Sequence, residues 1–195
     1  MNTKNLLVVV PDGLRIGKKN KAYLTNTYRN VLKDAFNYSK KNHLKILILP
    51  ANSFGCNKPE EEVGKDYLIK KGLNPKNIII GKKEKNGYLD TYDNFREVII
   101  NQGEIMKKIF SVSNHLQKGK YILFVSNVHS LRVLKAIKLL NLSYPNSIFT
   151  STVIESGNLP KRLFYYKFPI THKSYEFLAI FYQKIRSIFL PTIYF

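Results

Sequence analysis

An α/β fold, with a mostly parallel five-stranded sheet covered by helices on both faces, is what this sequence predicts, and three observations carry the prediction. Short apolar runs alternate with longer amphipathic stretches along the chain, the rhythm of strand–helix–strand units. The apolar runs are continuous rather than alternating, as in YILFVS (121–126), which is the mark of strands buried on both faces. Polar residues are over-supplied just after those runs, where parallel sheets bind ligands. Asp12 and Gly13 follow the first run, Asn52 and Ser53 the second, Lys82 and Lys83 the third, and Ser126, Asn127 and His129 the fourth.

Each element has its own signal. LLVVVP (6–11) reads as the first strand. The stretch 22–42 places Tyr28, Val31, Leu32, Ala35 and Tyr38 at helical spacing. LKILILP (44–50) is the second strand. PEEEVGKDYLIKKG (59–72) opens on Pro and acids and closes on Gly72, the usual helix punctuation. NIIIG (77–81) is the third strand. From Asp90 to about His115, the residues Phe95, Val98, Ile99, Ile105, Met106, Ile109 and Phe110 form one apolar stripe and predict a single long helix. YILFVS is the fourth strand, SLRVLKAIKLLN (130–141) a helix, SIFTSTVI (147–154) the fifth strand, and 173–190 a final helix after a Pro- and aromatic-rich connection, 157–172.

The 195 residues fit one domain, 1–195, with no internal repeat or low-complexity linker. Hydrophobic residues at 44% and charged residues at 23% exclude a disordered chain. A lone cysteine, Cys56, forms no intramolecular disulfide, and with four scattered histidines a zinc cluster is not expected. The first apolar run is too short for a signal peptide or a membrane span and is cut by Asp12. The last stretch, SYEFLAIFYQKIRSIFLPTIYF, is apolar but carries Glu176, Gln183, Lys184, Arg186 and Pro191, which argues against a spanning helix. A core helix with a loose tail is expected, the alternative being a tail lying on a membrane surface. A cytoplasmic location follows as an expectation.

The net charge of +19 attracts nucleic acid, anionic lipid or phosphorylated ligands. The basic residues are dispersed through a chain rich in Lys, Asn and Ile, with no tight Arg/Lys block and no aromatic–glycine RNA signature. Nucleic acid is therefore not the expected partner.

Two readings compete at the residues that bear chemistry. In DTYDNF (90–95), Asp90 or Thr91 can cap a helix while Asp93 favours the positive end of its dipole. In SNVHSLR (126–132), Ser126 or Asn127 can cap the next helix. His129 and Arg132, three residues apart, share one face of that helix, and a helix N-terminus beside a guanidinium and an imidazole is also an anion site. Glu60, Glu61 and Glu62 fit a first helical turn. Asp12, Glu62 and Asp93 would recruit a divalent cation only if they converged, and no metal site is assigned.

In this order the pieces resemble the ElyC/SanA/YdcF family. EEVGKDYL resembles its acidic helix start, with Glu62 at the family's Glu; TYDN resembles its Thr-x-Glu-Asn, keeping Thr91 and Asn94 with Asp93 for Glu. VSNVHSLR resembles its Thr-Ser-x-x-His-x-x-Arg, keeping Ser126, His129 and Arg132, and SYEFLAIFY its Glu-bearing terminal helix through Glu176. The likeness runs from about residue 5 to 185. The chain has PDG and PANS where the family has Gly-rich strand ends, and it resembles the YdcF branch, which lacks the anchor of the others.

The resemblance implies a Rossmann-like fold with a site at the strand ends, and links the chain with S-adenosylmethionine binding or with envelope and lipid-carrier biology. It implies that Thr91, Asp93, Asn94, Ser126, His129 and Arg132 meet in one crevice. The resulting expectation is a binder of an anionic small molecule (a nucleotide, S-adenosylmethionine, or a phosphorylated sugar or lipid carrier), active as a transferase or hydrolase at a phosphoryl or glycosyl centre. His129 would be general acid/base, Asp93 would orient it or position a water, and Arg132 would hold the anion. Thr91, Asn94 and Ser126 would donate hydrogen bonds, with Asp12, Gly13, Asn52, Ser53, Glu62 and Asn127 completing the ligand contacts. The alternative is a non-catalytic envelope factor that docks weakly on anionic membrane through its basic surface and aromatic C-terminus.

Overall fold

Five short apolar segments pair in parallel in the order β5-β4-β1-β6-β7, so the chain's first strand lies at the centre of the sheet. They are β1 (Leu6–Val9), β4 (Ile46–Ile48), β5 (Ile78–Ile80), β6 (Tyr121–Ser126) and β7 (Ser147–Ser151). Between β1 and β4, β2 (Leu14–Ile16) and β3 (Ala22–Leu24) form a separate antiparallel hairpin. The helices are α1 (Asn26–Asn42), α2 (Glu60–Lys70), α3 (Thr91–Asn101), α4 (Gly103–Phe110), α5 (Ser130–Leu139) and α6 (Pro169–Phe189). This computed structural model describes residues 5–51, 56–84, 89–110, 120–152 and 169–189.

The continuous apolar strands do what their pattern predicts, sending alternate side chains to opposite faces. Leu7, Val9, Ile46, Ile48, Ile122 and Phe124 pack with α1 and α2. Leu6, Val8, Leu47, Leu49, Leu123 and Val125 pack with α3, α4 and α5. The result is a three-layer α/β/α arrangement of Rossmann-like type. The chain steps outward from β1 to β4 and β5, then crosses back to β6 on the other side of β1. The strand order therefore reverses between β1 and β6, which opens a crevice at their carboxyl ends.

Three helices differ from the sequence expectation by four residues or by a break. The helix expected over 22–42 begins at Asn26, because 22–24 pair with 14–16. Thr25 caps it, its hydroxyl oxygen accepting from the Tyr28 N–H at 3.1 Å. The hairpin left no signal, since three-residue strands are too short to show alternation; Lys19 and Asn20 turn it with φ of 55° and 58°. The helix expected from Asp90 to about His115 is two helices. Gly103, at φ +71°, breaks it, and the Gln102 side-chain amide donates to the Ile80 carbonyl at 2.7 Å. The apolar stripe survives the break, because Phe95 and Phe110 still meet edge to face at 5.9 Å; 111–115 lie outside the described residues. The terminal helix starts four residues early, at Pro169, a residue suited to a first turn.

Candidate functional site

The crevice between β1 and β6 gathers polar side chains that the sheet and three helix starts bury together. Asp12, at the end of β1, is held by its backbone: its carbonyl accepts from the Thr25 hydroxyl at 2.8 Å. Gly13 follows at φ +84°, a turn that suits glycine, and its N–H donates to Glu60 Oε2 at 2.8 Å. Ser126 ends β6, and its hydroxyl accepts from the His129 N–H at 3.4 Å, closing the turn into α5. Asp90 caps α3, with Oδ1 accepting from the Asp93 N–H at 2.9 Å. Asp12, Thr91, Asp93, Asn94, Ser126, His129 and Arg132 are all buried.

His129 is the hub. Its Nε2 lies 2.7 Å from Thr91 Oγ1 and 2.8 Å from a terminal nitrogen of Arg132. A guanidinium can only donate, so Nε2 is the accepting nitrogen and the ring proton sits on Nδ1. That nitrogen faces Asp12 Oδ1 at 3.8 Å, beyond a direct hydrogen bond but close enough for the carboxylate to favour this tautomer. Arg132 is held in turn by Glu176 of α6, Nε to Oε2 at 2.9 Å, and stacks on the Tyr175 ring at 5.6 Å. The arrangement couples β1, α3, α5 and α6 through one imidazole. Chemically it presents a basic nitrogen of fixed tautomer beside a hydroxyl, a guanidinium and the N-terminus of α3.

A cavity of about 310 Å³ adjoins this hub, lined by Asp90, Arg132, Tyr175, Leu178, Tyr182 and Gln183 among others. Its volume is at the lower end for small-molecule sites. Gln183 is 1% exposed, and among the described residues neither of its amide atoms meets a partner.

Not every expected residue joins the hub. Asn94 is buried, but its amide nitrogen fits against the carbonyls of Asp90 and Pro50, at 2.9 Å each; it ties α3 to the end of β4. Asn127 is exposed, and its backbone serves the turn: its N–H donates to the Ser151 carbonyl at 3.1 Å and its carbonyl accepts from the Ser130 hydroxyl at 2.6 Å. Glu62 is exposed on α2. Asn52 and Ser53 lie outside the described residues. The carboxylate facing the imidazole is Asp12, where the sequence offered Asp93 either as orienter or as the holder of a water.

Two residues escaped the sequence reading. Glu60 and Glu61, rather than Glu62, turn inward. Glu60 clamps the loop after β1 through Gly13, and Glu61 clamps the loop after β4, accepting from the Ala51 N–H at 2.9 Å and from Lys83 at 2.7 Å. Three successive acids in a chain with 13 acids against 32 bases were the available signal. Helix phase alone did not say which would face in. Burial raises the Tyr28 phenol well above its usual range, with Glu60, Glu61 and Asp12 adding to the shift. It therefore stays a neutral donor, to the Glu60 carbonyl at 3.3 Å.

Among the described residues, no group of three His, Cys, Asp or Glu side chains is placed to hold a metal ion. Cys56 is a half-buried thiol packed against the α1–α2 side of the core. No family model, no curated protein and no solved structure matches this chain.

Proposed function

We propose that this chain is a YdcF-like protein that binds a small anionic molecule in the crevice between β1 and β6 and acts on it by general acid–base chemistry at His129. The observation that carries the reading is a buried imidazole whose Nε2 is engaged directly while its Nδ1 faces a carboxylate. Asp12 lies toward Nδ1, and Thr91 and Arg132 lie on Nε2. A base whose orientation is set by a third group, within hydrogen-bond reach of a hydroxyl, is the general signature of an activated nucleophile. The adjoining cavity gives the ligand a place against Arg132.

In such a reaction the anionic ligand draws the Arg132 terminal nitrogen off Nε2; the freed lone pair then takes the proton of an attacking hydroxyl, from water or substrate, and returns it to the leaving oxygen. Arg132 and the N–H groups opening α3 offset the negative charge that develops. Transfer or hydrolysis at a phosphoryl or glycosyl centre suits this set, with S-adenosylmethionine and phosphorylated sugars or lipid carriers as the ligand classes to try. The resemblance to an envelope-linked family agrees with that choice.

A thermal-shift screen with nucleotides, sugar nucleotides, polyprenyl phosphates and S-adenosylmethionine tests the reading. One class should raise the melting temperature progressively with concentration. The His129→Ala variant should fold and lose that response, with any turnover falling by about 10²–10⁴. Unchanged binding and turnover in His129→Ala would remove the proposal.

A further inference from the structure

The terminal helix is built inside out. Its buried positions include Glu176 and Gln183, which face the Arg132 hub and the cavity. Its outward side carries Ile170, Phe177, Leu178, Phe181, Tyr182 and Ile188, each more than half exposed. Ile170, Phe177, Phe181 and Ile188 fall on one stripe at helical spacing. Other exposed apolar side chains, such as Leu131 and Ile100, are scattered, whereas these lie together on one helix, and a contiguous apolar surface of this kind marks a contact site.

The charges around it select the occupant. Lys173 and Lys184 of α6 are exposed, and the helix's only acid, Glu176, is turned inward. The chain as a whole carries +19. A second copy docking through the same face would set like charge against like. An anionic lipid surface answers both features: the apolar side chains enter the boundary between headgroups and acyl chains, and the lysines reach the phosphates. Among the described residues no helix is long and apolar enough to cross a membrane, so the contact is one of lying on the surface.

We infer that α6 is an interfacial helix that rests this protein on anionic membrane through its outward apolar face. The inference is independent of the chemistry at His129. Leu178 and Tyr182 belong both to this face and to the cavity wall, so docking sets the cavity mouth against the lipid.

The test is co-sedimentation of the full chain with phosphatidylcholine vesicles and with mixed phosphatidylcholine–phosphatidylglycerol vesicles, at low and near-physiological salt. Binding should require phosphatidylglycerol, weaken with salt and persist in part, because the apolar component is not screened. Phe177→Glu with Phe181→Glu should lower partitioning by about tenfold or more. Both sites are exposed, so the melting temperature should hold. The chain has no Trp, so Phe181→Trp supplies a single indole reporter whose emission should shift to the blue on anionic vesicles. Vesicle binding that the double substitution leaves intact would overturn the inference, as would indole emission that does not shift in the Phe181→Trp variant. So would a dimer that the double substitution dissociates while the parent chain ignores vesicles; the face would then join two copies.

Discussion

At the scale of single residues, burial sets which protonation state each group keeps. Tyr28 and Tyr121 both have phenols raised above their usual range, chiefly by burial. Each donates to a carbonyl, Tyr28 to Glu60 and Tyr121 to Ser143, the latter at 2.7 Å. A phenol raised in the folded state favours folding while it stays neutral. The contribution is full below about pH 10, the unfolded value, and is lost as pH climbs above it. Urea unfolding at increasing alkaline pH should therefore show stability falling by ~1.4 kcal/mol per pH unit for each phenol. Tyr28→Phe and Tyr121→Phe should each flatten that slope by its share; a slope unchanged in both would show that other groups govern it. The hub residues were partly legible in sequence. His129, Arg132 and Ser126 sit at fixed spacing after an apolar run, so one turn fixes their mutual placement. Asp12 could be located at a strand end, but its pairing with His129 spans more than a hundred residues and depends on β1 lying next to β6. No local pattern encodes that.

At the scale of elements, glycines decide how closely the strand ends approach the helices. Gly81, just after β5, donates its N–H to the Ile48 carbonyl at 2.8 Å. A Cβ there would press into the Pro50 ring, 2.9 Å from its nitrogen, and lie 2.8 Å from Val98 Cγ2. Pro50 also receives the Asn94 amide, so displacing it would loosen the start of α3, where Thr91 meets His129. Gly81→Ala should cost about 1–3 kcal/mol, the usual penalty of overpacking, and should weaken ligand-induced stabilisation as well. Parallel denaturation and thermal-shift measurements check both; a neutral substitution would mean that Pro50 can yield freely. The elements that sequence located well are those with one dominant signal, such as β6, whose six apolar-to-small residues match the expected bounds. The misjudged ones had competing signals. The α3–α4 stripe was continuous enough to hide the Gly103 break, and the hairpin strands were too short for a period to emerge.

At the scale of the whole molecule, α6 closes the site from outside the sheet, and the buried Arg132–Glu176 pair anchors it there. Sequence placed a helix here and expected it in the core, reading Glu176, Gln183, Lys184, Arg186 and Pro191 only as marks against a membrane span. Which side faces in is decided by the Arg132 guanidinium, which lies beneath the helix and draws the Glu176 carboxylate inward. The pair is buried on both sides, with side chains 8% and 5% exposed, so desolvation and attraction are both large. Removing one partner strands the other charge; removing both does not. Glu176→Leu should therefore cost about 3–5 kcal/mol. The double variant Arg132→Leu, Glu176→Leu should recover much of that loss while still lacking ligand response. Urea denaturation of the four members of this cycle measures the coupling. If Glu176→Leu were as stable as the parent, α6 would be held by its other contacts, and the hub would not depend on the terminal helix for its geometry.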